Sequence, residues 1–307
     1  MISEKIIIYG EYINMNFKII LEYDGTKYNG WQRQGNTDNT IQGKLEDILS
    51  KYFEQPIEIH GSGRTDAGVH ALGQVANFKV SAEALSNIKF DYETDIYSKV
   101  TSDDIIQNQT LLCSIIQKNL NSYLPEDIRI TSINVADDRF HARLNAKNKT
   151  YRYRWCLSYK KNVFERKYCA SLAQVTSFSK RQTCDTYNYI TCTMLDIDAM
   201  KTASLSFLGE HDFIGFSDTK TKKSTIRRVD NISFTQETID NCDYLTVDFT
   251  GNGFLYHTVR LMMGTLIQIG LGKCSPFIIE EILESKERKK VPYMAPAEGL
   301  FLVKVGY

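Results

Sequence analysis

The densest concentration of chemically capable residues is the run Gly61-Ser62-Gly63-Arg64-Thr65-Asp66-Ala67-Gly68-Val69-His70, in which glycines flank an acid, a cation and a hydroxyl. Glycine admits backbone angles that other residues avoid and lets a large ligand approach the main chain closely. An unperturbed aspartate titrates near about 3.9, so only about one in a thousand is protonated near neutrality, and an adjacent arginine lowers that further. Asp66 is therefore expected to stand as a nucleophile rather than an acid. Two other readings stay open on the residues alone. A phosphate-cradling loop has a similar composition, although an acid at its centre repels phosphate and the pattern G-x-x-x-x-G-K-[ST] is absent. The other is a structural aspartate that caps a turn.

The remaining candidate groups are dispersed. His70, His141 and His257 lack H-x-x-x-H spacing, and isolated histidines are more often satisfied structural groups, so no chemistry is assigned to them. The seven cysteines, Cys113, Cys156, Cys169, Cys184, Cys192, Cys242 and Cys274, contain no C-x-x-C pair and read as reduced structural thiols. Lys plus Arg and Asp plus Glu both number 37, so net charge gives no global argument for a nucleic-acid partner. Local charge does. Lys147, Lys149, Arg152, Arg154, Lys160, Lys161, Arg166 and Lys167 are opposed over that stretch only by Glu165, and Lys220, Lys222, Lys223, Arg227 and Arg228 form a smaller cluster. Such runs serve equally as solvated edges that resist aggregation.

The elements that must position these residues are legible from periodicity. Phe17, Ile19, Leu21 and Tyr23 alternate with Lys18, Ile20 and Glu22, predicting a strand that turns at Asp24-Gly25. Ile41, Leu45, Ile48, Leu49 and Tyr52 share one face of a helix for which Asp38, Asn39 or Thr40 is the cap. A short strand at Ile57 to Ile59 is expected to enter the glycine-rich loop, and Ala76, Phe78 and Val80 to leave it as another. A helix through Ile105, Leu112, Ile116 and Leu120 and a strand from Ile128 to Val135 follow. In Thr150-Tyr151-Arg152-Tyr153-Arg154-Trp155 rings alternate with guanidinium groups, which predicts a strand with one aromatic and one cationic face. Beyond it come a helix at Met200 to Leu208, paired strands at Ile226 to Phe234 and Tyr244 to Phe249, a long helix from about Phe254, a helix opened by Ser275-Pro276, and a closing strand from Leu300 to Val305. The stretches around residues 82–104 and 160–192 read as insertions.

At 307 residues the chain is long enough for two ordinary subdomains, and 42% hydrophobic with 24% charged residues is the balance of a soluble globular protein. A subdomain boundary is expected near residue 165, giving 1–165 with the aspartate loop and 166–307. No apolar run approaches the 18 or so residues that span a bilayer, and the opening residues carry no small-residue cleavage site, so a cytoplasmic location is expected.

GRTDAGVHA resembles the catalytic-loop signature of the TruA family of tRNA pseudouridine synthases. Four further segments match that family in its order: YDGTKYNGWQRQ from Tyr23, FHAR from Phe140 followed by KTYRYR from Lys149, GFLYHTVRLMMG from Gly253, and AEGLFLVKV from Ala297. Together they span nearly the whole chain.

The resemblance implies an α+β pseudouridine synthase fold of two related subdomains, with mostly antiparallel mixed sheets flanked by helices and a basic central cleft. It makes Asp66 the catalytic aspartate and Arg260 its partner. It also makes Tyr151 the ring that packs on the target base and Arg64 the group that helps hold the uridine out of its stack. Lys149 and Arg152, on the same cationic strand as Tyr151, are added as RNA contacts. The implied activity is isomerisation of uridine to pseudouridine at positions 38, 39 and 40 of the tRNA anticodon stem-loop, by a homodimer, with no cofactor and no metal. Whether the carboxylate attacks sugar or base, or assists loss of a sugar proton, stays open. So do a paralogue acting on another position or RNA, and a non-catalytic RNA-binding protein of the same fold.

Overall fold

The computed structural model describes residues 14–86, 108–158, 160–175, 195–220 and 223–307. Most of both expected insertions therefore lies outside the described residues. The chain divides into two compact units that interleave in sequence, where the sequence suggested one cut near residue 165. One unit holds residues 1–22, 32–63 and 74–145, and the other residues 23–31, 64–73 and 146–307.

In the first unit, strand β1 (Met15–Tyr23) alternates as expected, with Phe17, Ile19 and Leu21 fully buried. Helix α1 (Ile41–Tyr52) is capped by Thr40, whose hydroxyl accepts from the Gly43 amide at 3.2 Å. Its buried Ile41, Leu45 and Leu49 lie on the expected face. The short strand β2 is found at His60–Gly61 rather than Ile57 to Ile59. Side chains near the helix take those backbone groups instead: the Ile57 amide donates to Ser50 Oγ at 2.9 Å and the Ile59 amide to Glu46 Oε1 at 3.2 Å. Strand β3 (His70–Val80) brings Phe78 against Phe17, with ring centroids 5.5 Å apart. Then come α2 (Ala82–Ser86), α3 (Gln109–Tyr123), with Leu112, Ile116 and Leu120 buried, and strand β4 (Ile128–Ala136).

The second unit is built on β5 (Asn148–Cys156), which the two-residue β6 (Ala170–Ser171) joins in parallel. Helix α4 (Ile197–Ser204) follows, then β7 (Gly209–Asp212), β8 (Ile226–Ile239), β9 (Cys242–Gly251), helix α5 (Thr258–Gly270), helix α6 (Ile278–Ser285) and β10 (Leu300–Gly306). The antiparallel order is β10-β5-β9-β8-β7, and the first residues of β3 add to β10 in parallel, His70 opposite Phe301. A mixed α and β fold with mostly antiparallel sheet and flanking helices was the expected class, and it is what the chain forms.

Side chains alternate across β5 with period two. Tyr151, Tyr153 and Trp155 are buried on one face, the last two stacked at 5.8 Å, while Arg152 and Arg154 take the other. Helix α5 buries most of its surface, including Leu261, Met262 and Leu266. It begins at Thr258 rather than Phe254 because His257 adopts the left-handed conformation, φ 65°, which a continuing helix does not tolerate. Among the described residues no helix is long and apolar enough to cross a membrane, and no group of three or more His, Cys, Asp or Glu is placed to hold a metal ion.

Candidate active site

The aspartate loop is braced by the segment that follows β1. The Trp31 amide donates to the Thr65 carbonyl at 3.0 Å, the Gly68 amide to the Tyr28 carbonyl at 3.3 Å, and the Tyr23 and Thr65 hydroxyls bond at 2.8 Å. Gly30 is required at its position: its φ is +89°, and a Cβ there would lie 2.7 Å from the Thr65 carbonyl oxygen. The loop closes on itself through the Val69 amide and the Asp66 carbonyl at 3.1 Å. His70 pins its far end. Nδ1 accepts from the Gly25 amide at 3.1 Å, so Nε2 carries the hydrogen and donates to the Lys167 carbonyl at 3.1 Å. Burial lowers the pKa of this imidazole, in keeping with a neutral structural group rather than a base.

This bracing sets the Asp66 carboxylate against the first turn of α5. Oδ2 lies 3.5 Å from Arg260 NH1 and 3.6 Å from His257 Nε2. All three side chains are largely shielded, at 13 to 16% of their free exposure. Arg260 is held at its root, since Nε donates to the Ala295 carbonyl at 2.9 Å and its own carbonyl accepts from the Ala295 amide at 3.0 Å. Its NH1 is thereby aimed at the acid.

The electrostatics correct the expectation that a neighbouring arginine leaves the acid's pKa below that of a free aspartate. Burial raises the Asp66 pKa; His257 and Arg260 pull it back without cancelling the rise, and Asp218 adds to it. Asp66 is a carboxylate that its surroundings make more basic than a free one.

Tyr151 is buried beside this group, close enough for the Asp66 charge to bear on its hydroxyl, and its ring meets Phe254 edge-on at 5.4 Å. Burial raises its phenol pKa well above the ordinary value. Arg64, two residues before the acid, is exposed. Lys149 is half-buried. Arg152 projects from the opposite face of β5 to Tyr151 and forms a bidentate pair with Asp248, its direct cross-strand neighbour, at 2.8 and 2.9 Å. The structure thus brings together Asp66, Arg260 and Tyr151, leaves Arg64 open to solvent, and separates Arg152 from them.

Three participants escaped the sequence reading. His257, assigned no chemistry there, touches the acid; its Nδ1 is 2.7 Å from Asp218 Oδ2, and Arg288 grips Asp218 at 2.8 and 3.4 Å. The spacing of His257 and Arg260, three residues apart and so facing one way, was the available signal. Asp218 and Arg288 carry no such local mark.

A partly buried, raised carboxylate bridged to a guanidinium and an imidazole beside a buried tyrosine can attack an electrophilic carbon or take a proton. The sequence pattern of a family described as tRNA pseudouridine synthase matches residues 19–144 and 203–307. The chain is 41% identical to tRNA pseudouridine synthase A of Bacillus sp. (strain KSM-64), over 95% of this chain and 99% of that one. It is 36% identical to tRNA pseudouridine synthase A 2 of Bacillus anthracis and 34% identical to tRNA pseudouridine synthase A of Acetivibrio thermocellus, each with the same coverage. The chain belongs to this family of isomerases.

Proposed function

We propose that this protein isomerises uridine to pseudouridine in the anticodon stem-loop of tRNA, at positions 38, 39 and 40, with Asp66 as the catalytic group. The observation that carries the reading is the Asp66 carboxylate held on one oxygen by Arg260 beside the buried Tyr151 ring. The reaction breaks the glycosidic bond at N1, turns the retained base, and rejoins the sugar at C5. It needs a group that can engage sugar or base and then leave, and a carboxylate anchored through Oδ2 presents Oδ1 for that purpose.

Extracting the base from its stem costs a few kcal/mol, and stacking on an aromatic ring returns roughly 1–3 kcal/mol. Tyr151 supplies that ring and Arg64 occupies the vacated space. Lys149 neutralises backbone phosphate; Arg152 does so only when its pair with Asp248 opens. The protein acts as a homodimer in the cytoplasm. Its test is pseudouridine mapping of tRNA from cells lacking the gene, repeated after restoring wild type or Asp66→Asn. Loss at positions 38 to 40, regained with wild type alone, is expected. Unchanged pseudouridine there, or loss confined to another RNA, overturns the assignment.

A further inference from the structure

Immediately before α5, His257 is held by contacts that a structural histidine would not need. Its left-handed backbone, uncommon outside glycine, turns the imidazole so that its two nitrogens face two different carboxylates. Nδ1 bonds Asp218 Oδ2 at 2.7 Å, and the Asp218 carboxylate can only accept, so Nδ1 carries a hydrogen. Asp218 stays ionised: burial raises its pKa, but the bonds from His257 and Arg288 outweigh burial and the net shift is downward. Nε2 faces Asp66 Oδ2 at 3.6 Å, an ion-pair separation. The Tyr256 ring covers the imidazole at 3.7 Å between centroids, and the Tyr256 carbonyl accepts from the Asp218 amide at 3.2 Å and from Ser217 Oγ at 3.0 Å. The groups facing this imidazole are therefore Asp66 from the glycine-rich loop, Asp218 from the segment before β8 and Tyr256 from its own chain, with Arg260 and Arg288 behind the two carboxylates.

We propose that Asp218 and Arg288 are positioning residues that act through His257, which as the imidazolium directs Nδ1–H to Asp218 and Nε2–H to Asp66 and keeps the catalytic carboxylate ionised and oriented with Oδ1 free. In the chain Arg288–Asp218–His257–Asp66–Arg260 the guanidinium groups bound two carboxylates, and the imidazole joins them. No bond is made or broken by this device. It holds one proton at Nε2 while the isomerisation runs at Asp66, and so it rests on the functional reading above.

Its test turns on a sign. Asp218 by its charge alone pushes the Asp66 pKa up, whereas His257 pulls it down. If Asp218 acted on Asp66 only through space, Asp218→Asn would move the acid limb of the single-turnover rate to lower pH. If it acts by holding His257, the limb moves to higher pH, as it must in His257→Asn, with tRNA affinity little changed in both. Rates on a tRNA anticodon stem-loop would be followed across the acid range for wild type, His257→Asn, Asp218→Asn and Arg288→Lys, each checked for folding by thermal melting. An upward move in the first two variants, with a smaller one in Arg288→Lys that retains a cation, is the expected result. A downward or absent move in Asp218→Asn, or an unmoved limb in His257→Asn, overturns the proposal. Wild-type protein inactive on every uridine of the RNA would instead remove the functional reading, an outcome distinct from a limb that moves the wrong way.

Discussion

At the residue scale the decisive balance is between burial of Asp66 and the cations beside it. Desolvation disfavours the charged carboxylate and wins, so the acid is raised while His257 and Arg260 limit the rise. Replacing Asp66 by Asn keeps the shape and removes the charge. Asp66→Asn is expected to abolish measurable isomerisation while tRNA affinity changes by less than about threefold, under about 1 kcal/mol. Single-turnover assays beside filter binding check both, and turnover by a clean preparation would refute the assignment. A pH consequence follows from the same shift. The active form is ionised and its pKa is raised, so protonation on acidification begins at higher pH than for a free aspartate. The acid limb of the wild-type rate should therefore lie above the pKa of a free aspartate, and a limb at or below it would contradict the burial argument. Asp66 stood out as a candidate in the sequence because glycines, cation and acid sit within ten residues. Its raised pKa was not legible there, since desolvation comes from side chains distant in sequence. For the same reason Asp218 and Arg288, 70 residues apart, met no expectation.

At the element scale, most of the architecture follows from alternation and caps. β1, α1, α3, β4, β5, β8, β9 and β10 fall where period-two or helical patterns put them. The misplacements have local causes: α1 side chains claim the Ile57 and Ile59 amides, and His257 in the left-handed region delays α5. Periodicity also foretold that β5 has an aromatic and a cationic face, but not that Asp248 stands directly across from Arg152. Pairing of a non-local strand decides which cations remain available. The brace from Tyr23 to Trp31 carries a prediction of its own. Gly30→Ala must strain a positive φ and push a methyl group toward the Thr65 carbonyl. A loss of about 1–3 kcal/mol in stability is expected. The turnover rate should fall by more than tRNA affinity, because the strain is relieved by shifting the Asp66 loop. Chemical denaturation and single-turnover rates measure the two effects, and an Ala variant with wild-type rate and stability would show that the loop does not depend on this contact.

At the scale of the whole molecule the chain carries 37 basic and 37 acidic side chains, yet its proposed partner is a polyanion. Binding must then rest on which cations are unspent. Arg152 is bidentate with Asp248, Arg154 is paired with Glu165 and lies 4.5 Å over the Tyr244 ring, and Arg228 is paired with Asp230. An internal pair offers a phosphate little net charge until it opens. Arg64 is exposed, two residues before Asp66, and is the cation proposed above to act on RNA. Phosphate contacts release counterions, so each should contribute roughly 0.7 to 0.9 to the slope of log affinity against log salt. Arg64→Gln is therefore expected to weaken tRNA binding at low salt and to reduce that slope by about one contact. The paired replacement of Arg152 by Gln and Asp248 by Asn removes one charge of each sign from the opposite face of β5, and should leave the slope unchanged. Filter-binding titrations at several salt concentrations, on variants with unchanged thermal melting, separate the two. A slope reduced by the neutral pair as much as by Arg64→Gln would mean that Arg152 leaves Asp248 to meet the RNA and that the second face of β5 belongs to the binding surface; an unchanged slope in Arg64→Gln would remove Arg64 from the contact altogether.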